Sequence, residues 1–310
     1  MTKNGTNSPP DTVVVTGSST GLGLEIALYL AGHGFKVYAT VRNLESRPAV
    51  LQAAAERNVE LEVVQLDITD PASIKSAITS IVDETGGIFG LINNAGQGLR
   101  GCLEDLSEEE IRQGFEANVF GTIAVTKAVL PQMRAAGRGR IVTISSVGGR
   151  ISSFGLSIYC GSKFAQEGFA EALALEIAPF GLQAILIEPG IINTTRWTTN
   201  RGTGKRAYDP ASPYARFFQR SEELADQRVQ ISKTQPVDVA KTVQKALTAK
   251  RPRMRYVVGR PAAAAIILRR YLPERVFERV YFGSLLRQIT KEGQPEKWDI
   301  ASSQPEPQKQ

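Results

Sequence analysis

The chain is short of the residues that most often carry chemistry. Among 310 residues there is one histidine, His33, and there are two cysteines, Cys102 and Cys160. Neither cysteine stands at metal-ligand spacing, which argues against zinc-site and disulfide-framework classes and suits a reducing compartment. No apolar run reaches the ~20 residues of a membrane span. The opening residues, "MTKNGTNSPPD", are polar and contain no apolar stretch, so no secretory leader is expected and the expected location is the cytoplasm. His33, in "AGHGF" at the end of a predicted helix, reads as a C-terminal cap feature. Proton chemistry in this chain must therefore fall to another residue type.

What is present suits one large globular domain. Hydrophobic residues make up 42% and charged residues 22%, enough for a core without disulfide or metal support. The net charge is +6, and its excess is local: eleven Lys/Arg lie between Lys250 and Lys291, against Glu274, Glu278 and Glu292. These arginines alternate with apolar residues and no nucleic-acid motif accompanies them, so lipid or a partner protein ranks above nucleic acid.

Short apolar runs alternate with helical patterns. Residues 12–17, 35–40, 61–67, 90–96, 139–146 and 182–190 read as strands apolar on both faces, and 254–259 is a candidate seventh. Helices are predicted near 21–32, 45–57, 71–85, 107–135 and 157–179. Asp70 and Pro71 mark one helix start, and the Ser107/Glu110 capping box another. The alternation predicts an α/β single domain, a doubly wound parallel sheet with helices on both faces. Residues 195–232 break the rhythm and carry Trp197, Tyr208, Tyr214, Phe217 and Phe218, as a substrate lid would. Residues 1–10 and 291–310 read as disordered tails.

Strand one ends in "TGSSTGLG", whose Gly17, Gly21 and Gly23 let backbone N–H groups approach a pyrophosphate at a helix N-terminus. After strand two, "YATVRN" lacks the acid that would bind a ribose 2′-hydroxyl. Arg42 stands there instead, with Thr20 on the glycine turn, and both suit a 2′-phosphate; the expected cofactor is NADP(H). Asp67 ends strand three, either to accept from an adenine amino group or to begin a turn.

Tyr159 and Lys163 are one helical turn apart on one face. That spacing is common on solvated helices, yet it also offers an answer to the missing histidine. A phenol with pKa ~10 needs roughly 4 kcal/mol of preference for the phenolate to reach ~7, and a nearby ammonium can supply it.

With "NNAG" (93–96), Asn118, "ISS" (144–146), "YCGSK" (159–163) and "PGIINT" (189–194) in this order, residues 11–260 resemble the short-chain dehydrogenase/reductase family. "KVYATVR", "GRIVTISSVGGR" and "IYCGSKFAQEGFAEALALEIAPFG" are similar to its 17β-hydroxysteroid and retinol dehydrogenase branch. The resemblance implies a Rossmann-like fold and a catalytic set of Asn118, Ser146, Tyr159 and Lys163. Tyr159 would be the acid/base, Ser146 its partner on the substrate oxygen, and Lys163 a ligand of the nicotinamide ribose. Asn118 would hold a water that links Lys163 to solvent. It also implies cofactor contacts from Gly17, Ser19, Thr20, Gly21, Leu22, Gly23, Arg42, Asp67, Ile68, Asn94, Ala95, Gly96, Tyr159, Lys163, Pro189, Gly190, Ile192 and Thr194.

The expected activity is interconversion of an apolar secondary alcohol and ketone, with steroid-, retinoid- or lipid-like substrates. A catalytically silent dinucleotide sensor on the same fold is the alternative. A homodimer or tetramer is left open. The basic extension 261–290 is expected to be helical, with Val276, Phe277, Val280, Tyr281 and Leu285 on one side. That stripe leaves two readings: packing on its own domain or a second subunit, or peripheral contact with an anionic membrane through 261–289.

Overall fold

The computed structural model describes residues 10–193 and 202–290. Thr194, the 195–201 part of the expected lid with Trp197, and the expected tails apart from Pro10 lie outside the described residues. In chain order the strands are β1 (Thr12–Val15), β2 (Lys36–Val41), β3 (Glu62–Gln65), β4 (Gly90–Asn93), β5 (Leu99–Arg100), β6 (Gly139–Ile144), β7 (Leu182–Pro189), β8 (Gly202–Thr203) and β9 (Arg255–Val258). Seven of them form one parallel sheet in the order β3-β2-β1-β4-β6-β7-β9. β5 and β8 make a separate parallel pair. Two residues carry no period, so the sequence did not announce that pair.

The helices are α1 (Gly21–Ala31), α2 (Arg47–Glu56), α3 (Pro71–Thr85), α4 (Glu108–Phe115), α5 (Gly121–Ala136), α6 (Ser157–Ile177), α7 (Ala215–Gln230), α8 (Pro236–Thr248), α9 (Arg260–Tyr271), α10 (Glu274–Phe277) and α11 (Gly283–Thr290). They cover both faces of the sheet, because alternate strand residues point to opposite sides. Val13 and Val15 of β1 join a core with Ile26 and Leu30 of α1, Val50 of α2 and Val243 of α8. Val14 between them joins the other core, with Ile78 of α3, Val129 of α5 and Leu173 of α6. The predicted caps are in place: Asp70 accepts from Ala72 N, and Ser107 and Glu110 close their box.

Two predicted helices differ in the same way. The 107–135 helix is interrupted by a π turn, Glu116–Phe120, and the C-terminal helix by another, Glu278–Phe282. A π turn adds a residue and rotates everything after it relative to the α-helical period. The apolar stripe of the extension is also split, and the split already separates Val276 from Phe277 ahead of that turn. Phe277 and Leu285 are buried, Tyr281 is partly buried, and Val276 and Val280 are exposed. No helix among the described residues is long and apolar enough to cross a membrane.

β1 lies between β2 and β4, so the chain order reverses there. In open α/β sheets ligands bind beyond the carboxyl ends of the strands at such a reversal. The glycine turn after β1 and the "NNAG" turn after β4 both stand at that crevice.

Candidate active site

The glycine turn is built for close approach. Gly17 has φ +68°, and a Cβ there would stand 2.8 Å from Ala95 Cα; a Cβ on Gly23 would stand 2.3 Å from both Asn94 Nδ2 and Gly17 O. The space in the turn thus belongs to backbone, braced from β4 by Asn94. Its amide donates to Thr16 O at 2.9 Å and Gly17 O at 3.1 Å. Thr16 Oγ1 in turn accepts from the backbone N–H groups of Asn94 and Ala95, each at 3.0 Å. Thr20, at the N-cap of α1, is extended and its side chain does not cap the helix, so the hydroxyl is not spent there.

The end of β2 sits beside this turn, because Ser18 N donates to Thr40 O at 2.8 Å. Arg42 follows two residues on and is exposed. Thr40 Oγ1 is buried with no hydrogen-bond partner among the described residues. A glycine cradle that admits no Cβ, a free-standing hydroxyl and a guanidinium fit the phosphates of a dinucleotide. Ser19, Gly21 and Leu22 complete the turn. Asp67 Oδ1 accepts from Thr69 N at 2.9 Å and Thr69 Oγ1 at 2.7 Å, so the turn reading of Asp67 is realised. Ile68 follows it and packs toward Gly121. On the other side of the crevice, Gly190 N donates to Val258 O at 2.8 Å, fixing the Pro189–Gly190 bend, and Ile192 packs on the core.

Ser146 follows β6, and Tyr159 and Lys163 lie on the first turns of α6. The Lys163 ammonium is buried and donates to Ile144 O at 2.9 Å, which ties α6 to the end of β6. It stands 5.8 Å from the centre of the Tyr159 ring. Ser146 Oγ accepts from Gly148 N at 3.0 Å, holding the hydroxyl toward the tyrosine. Ser145, the neighbour, is buried beneath the surface on which Ser146 is partly exposed. Asn118 is 1% exposed, inside the π turn. Its side-chain amide donates to Gln97 O at 2.8 Å and Ser162 Oγ at 2.9 Å, and its carbonyl oxygen accepts from Gln97 N at 2.7 Å. This latches the segment after Gly96 onto α6.

Burial dominates the electrostatics. It pushes the Tyr159 phenol above its ordinary value, against a hydrogen bond with Ser146 and the charge of Arg100. It also lowers the Lys163 ammonium to about 8, against the charge of Glu167. Lowering of the phenol by Lys163 is therefore not the leading effect in this structure. The ammonium's hydrogen bonds go to Ile144 and Gln166.

Three groups near the site escaped the sequence reading. Gln166 is the first. The second is a charged cluster: Glu188, fully buried at the end of β7, meets Arg150 at 3.0 Å and Arg255 at 3.1 Å, and Arg255 meets Glu167 at 2.9 Å. The third is a buried ion pair of 2.6 Å between Arg100 of β5 and Glu222 of α7. Glu167 and Gln166 fall one helical turn from Lys163, a signal that spacing offered; the other partners come from distant strands. Part of the expected lid is thus fastened down. Phe218 is buried with Cys102 and Ala207, and Phe154 and Tyr214 pack on that cluster.

Residues 11–205 match the family model for short chain dehydrogenases. The chain is 35% identical over 250 residues to a 3-ketodihydrosphingosine reductase of Bacteroides thetaiotaomicron, spanning 81% of this chain and 88% of that one. It is 35% identical over 255 residues to the 17-beta-hydroxysteroid dehydrogenase type 1 of Homo sapiens, spanning 79% and 76%. Among solved structures, a short-chain dehydrogenase from Streptomyces avermitilis superposes with a TM-score of 0.74 at 30% identity, covering 91% of this chain and 98% of that one. A glycine turn at the sheet reversal, a serine beyond β6 and a Tyr–Lys pair on α6 agree with that kinship, and the chain belongs to the short-chain dehydrogenase family of oxidoreductases.

Proposed function

We propose that this oxidoreductase uses NADP(H) to interconvert an apolar secondary alcohol and its ketone, of steroid, retinoid or other lipid type. The observation that carries the reading is the convergence of Ser146, Tyr159 and Lys163 at the carboxyl end of β6. The bound nicotinamide supplies the hydride in reduction and takes it up in oxidation. Ser146 and Tyr159 hydroxyls hold the substrate oxygen and stabilise charge developing on it. Tyr159 gives that oxygen its proton in reduction and removes it in oxidation. Lys163 holds positive charge next to the phenol and a contact for the ribose. Arg42 and Thr20 bind the 2′-phosphate.

An apolar substrate is supported by the aromatic residues Phe154, Tyr214 and Phe218 around the lid base, and by relatives whose names specify a hydroxysteroid and a ketodihydrosphingosine. The lid proposed for residues 195–232 has α7, among the described residues, as its fixed base.

The extension meets an anionic membrane surface in the same proposal. Ile267, Leu268 and Tyr271 of α9 and Val276 and Val280 beyond it are exposed, 44–74%. Arg269, Arg270, Arg275 and Arg279 are exposed among them. Apolar side chains rimmed by arginines suit an interface of acyl chains and anionic headgroups, whereas a second copy would bring like charge against like.

The test is NADPH oxidation with a panel of ketones, together with Tyr159→Phe. The variant should bind NADPH as the parent does and lose at least tenfold in kcat, since acid–base catalysis contributes about 10²–10⁴-fold. A variant that keeps parental turnover removes Tyr159 as the proton donor. No turnover of any ketone by the parent would favour the silent sensor.

A further inference from the structure

Gln166 lies three residues past Lys163 and is 2% exposed. Its carboxamide oxygen accepts from the Lys163 ammonium at 2.9 Å. Its nitrogen donates to the backbone carbonyl of Asn118 at 2.5 Å and to Thr122 Oγ1 at 3.2 Å. Thr122 Oγ1 donates to the same carbonyl at 2.9 Å. The partners fix the orientation of the amide, because an ammonium only donates and a peptide carbonyl only accepts. The family resemblance assigns the step between Lys163 and Asn118 to a water. In this chain a side chain spans it.

We propose that Gln166 is a positioning residue of the reaction: its carboxamide bridges Lys163 to the Asn118 carbonyl and keeps the lysine charged and aimed at Tyr159. The inference rests on the reading of Tyr159 as acid/base. A hydrogen bond that accepts from the ammonium favours its charged form, against the burial that disfavours it. Helix α6 and the π turn are locked together by the same bridge, so the lysine is held from a second element as well as from Ile144. The bridge also differs from a water in what it transmits. A water takes up one proton as it releases another, whereas a carboxamide does so only through a high-energy tautomer. Gln166 therefore holds the lysine without serving as a proton carrier.

Other charges also face Lys163 and Tyr159. Glu167 of α6 faces Lys163 and Arg100 of β5 faces Tyr159, while Arg255 of β9, Glu188 of β7 and Arg150 of the turn after β6 join the set only through the Glu167–Arg255 ion pair. Cys160 adjoins Tyr159 on the helix. Substitution at Gln166 changes none of them.

The experiment titrates Tyr159 by its tyrosinate absorbance with NADP⁺ bound, from about pH 6 to about pH 10. Each protein is measured against its own Tyr159→Phe counterpart, which isolates this tyrosine from the other seven. Gln166→Leu removes the acceptor at similar volume, and Gln166→Met removes it with a more flexible side chain of similar length. With the leucine variant the midpoint should rise by about one pH unit, the scale of one hydrogen bond to a charged group. The methionine variant should show the same rise. A leucine variant with a parental or lowered midpoint overturns the proposal, even if its turnover is reduced, because looser packing alone admits water, relieves the burial that raises the phenol and so lowers the midpoint. If the leucine variant fails to fold, a parental midpoint in the methionine variant overturns the proposal equally. Failure of the underlying reading looks different: the parent then shows no Tyr159 titration in this range.

Discussion

Residues whose role depends on local spacing were readable one at a time. Tyr159 and Lys163 share a helix face by arithmetic, and Arg42 follows its strand. Each carries a prediction. Replacing Arg42 by Ala removes the phosphate partner, and replacing Val41 by Asp sets a charge against it, so both should shift preference from NADP(H) toward NAD(H). The ratio of kcat/KM for the two cofactors measures this, and a parental ratio near one contradicts the role of Arg42. Lys163 carries the second prediction. Its buried ammonium titrates at about 8 in the folded chain, against 10.5 ordinarily. Between those values the unfolded chain binds more protons, so stability rises with pH across that window and is lost as pH falls through about 8. The urea midpoint of the parent, taken relative to Lys163→Met, should therefore climb from about pH 8 to about pH 10.5; a falling difference contradicts it. By contrast, Glu188 and Arg255 gave no sign in the sequence that they would meet, since their partners are set by strand order and not by spacing.

At the level of elements, starts and caps were legible and irregularities were not. The Asp70 and Ser107 caps act within a few residues, so local sequence specifies them. The π turns at 116–120 and 278–282 have no local signature, because tertiary packing determines where the extra residue is accommodated. One of them holds Asn118, and the other lies in the C-terminal extension, whose apolar stripe is divided between buried and exposed residues. The division makes truncation a poor probe, as Phe277, Leu285 and Ile289 are buried. Charge reversal is cleaner. The full chain should float with anionic vesicles at low salt and be released at high salt. The combined Arg269→Glu and Arg270→Glu variant should stay behind while keeping ketone reduction in solution. A parent that never floats rules out the membrane reading.

Across the whole molecule, the prediction concerns substrate size. If the lid covers an apolar site, decalin- or steroid-sized ketones should exceed glyceraldehyde-sized compounds in kcat/KM, because each buried CH₂ contributes about 0.8 kcal/mol. The opposite order contradicts the apolar site. The order of amino acids alone was enough for the α/β class, seven main strands, the glycine turn and the Tyr–Lys pair. Those features follow from periodicity, glycine geometry and one helical turn, all of which act over a few residues. It took the folded chain to show that Gln166 bridges Lys163 to Asn118, that Glu188 meets Arg150 and Arg255, and that Arg100 fastens α7 through Glu222. Apart from the Gln166–Lys163 step within α6, each of these contacts joins residues from different elements. Their distance depends on how the sheet is ordered and how the helices settle on it, which no local pattern encodes.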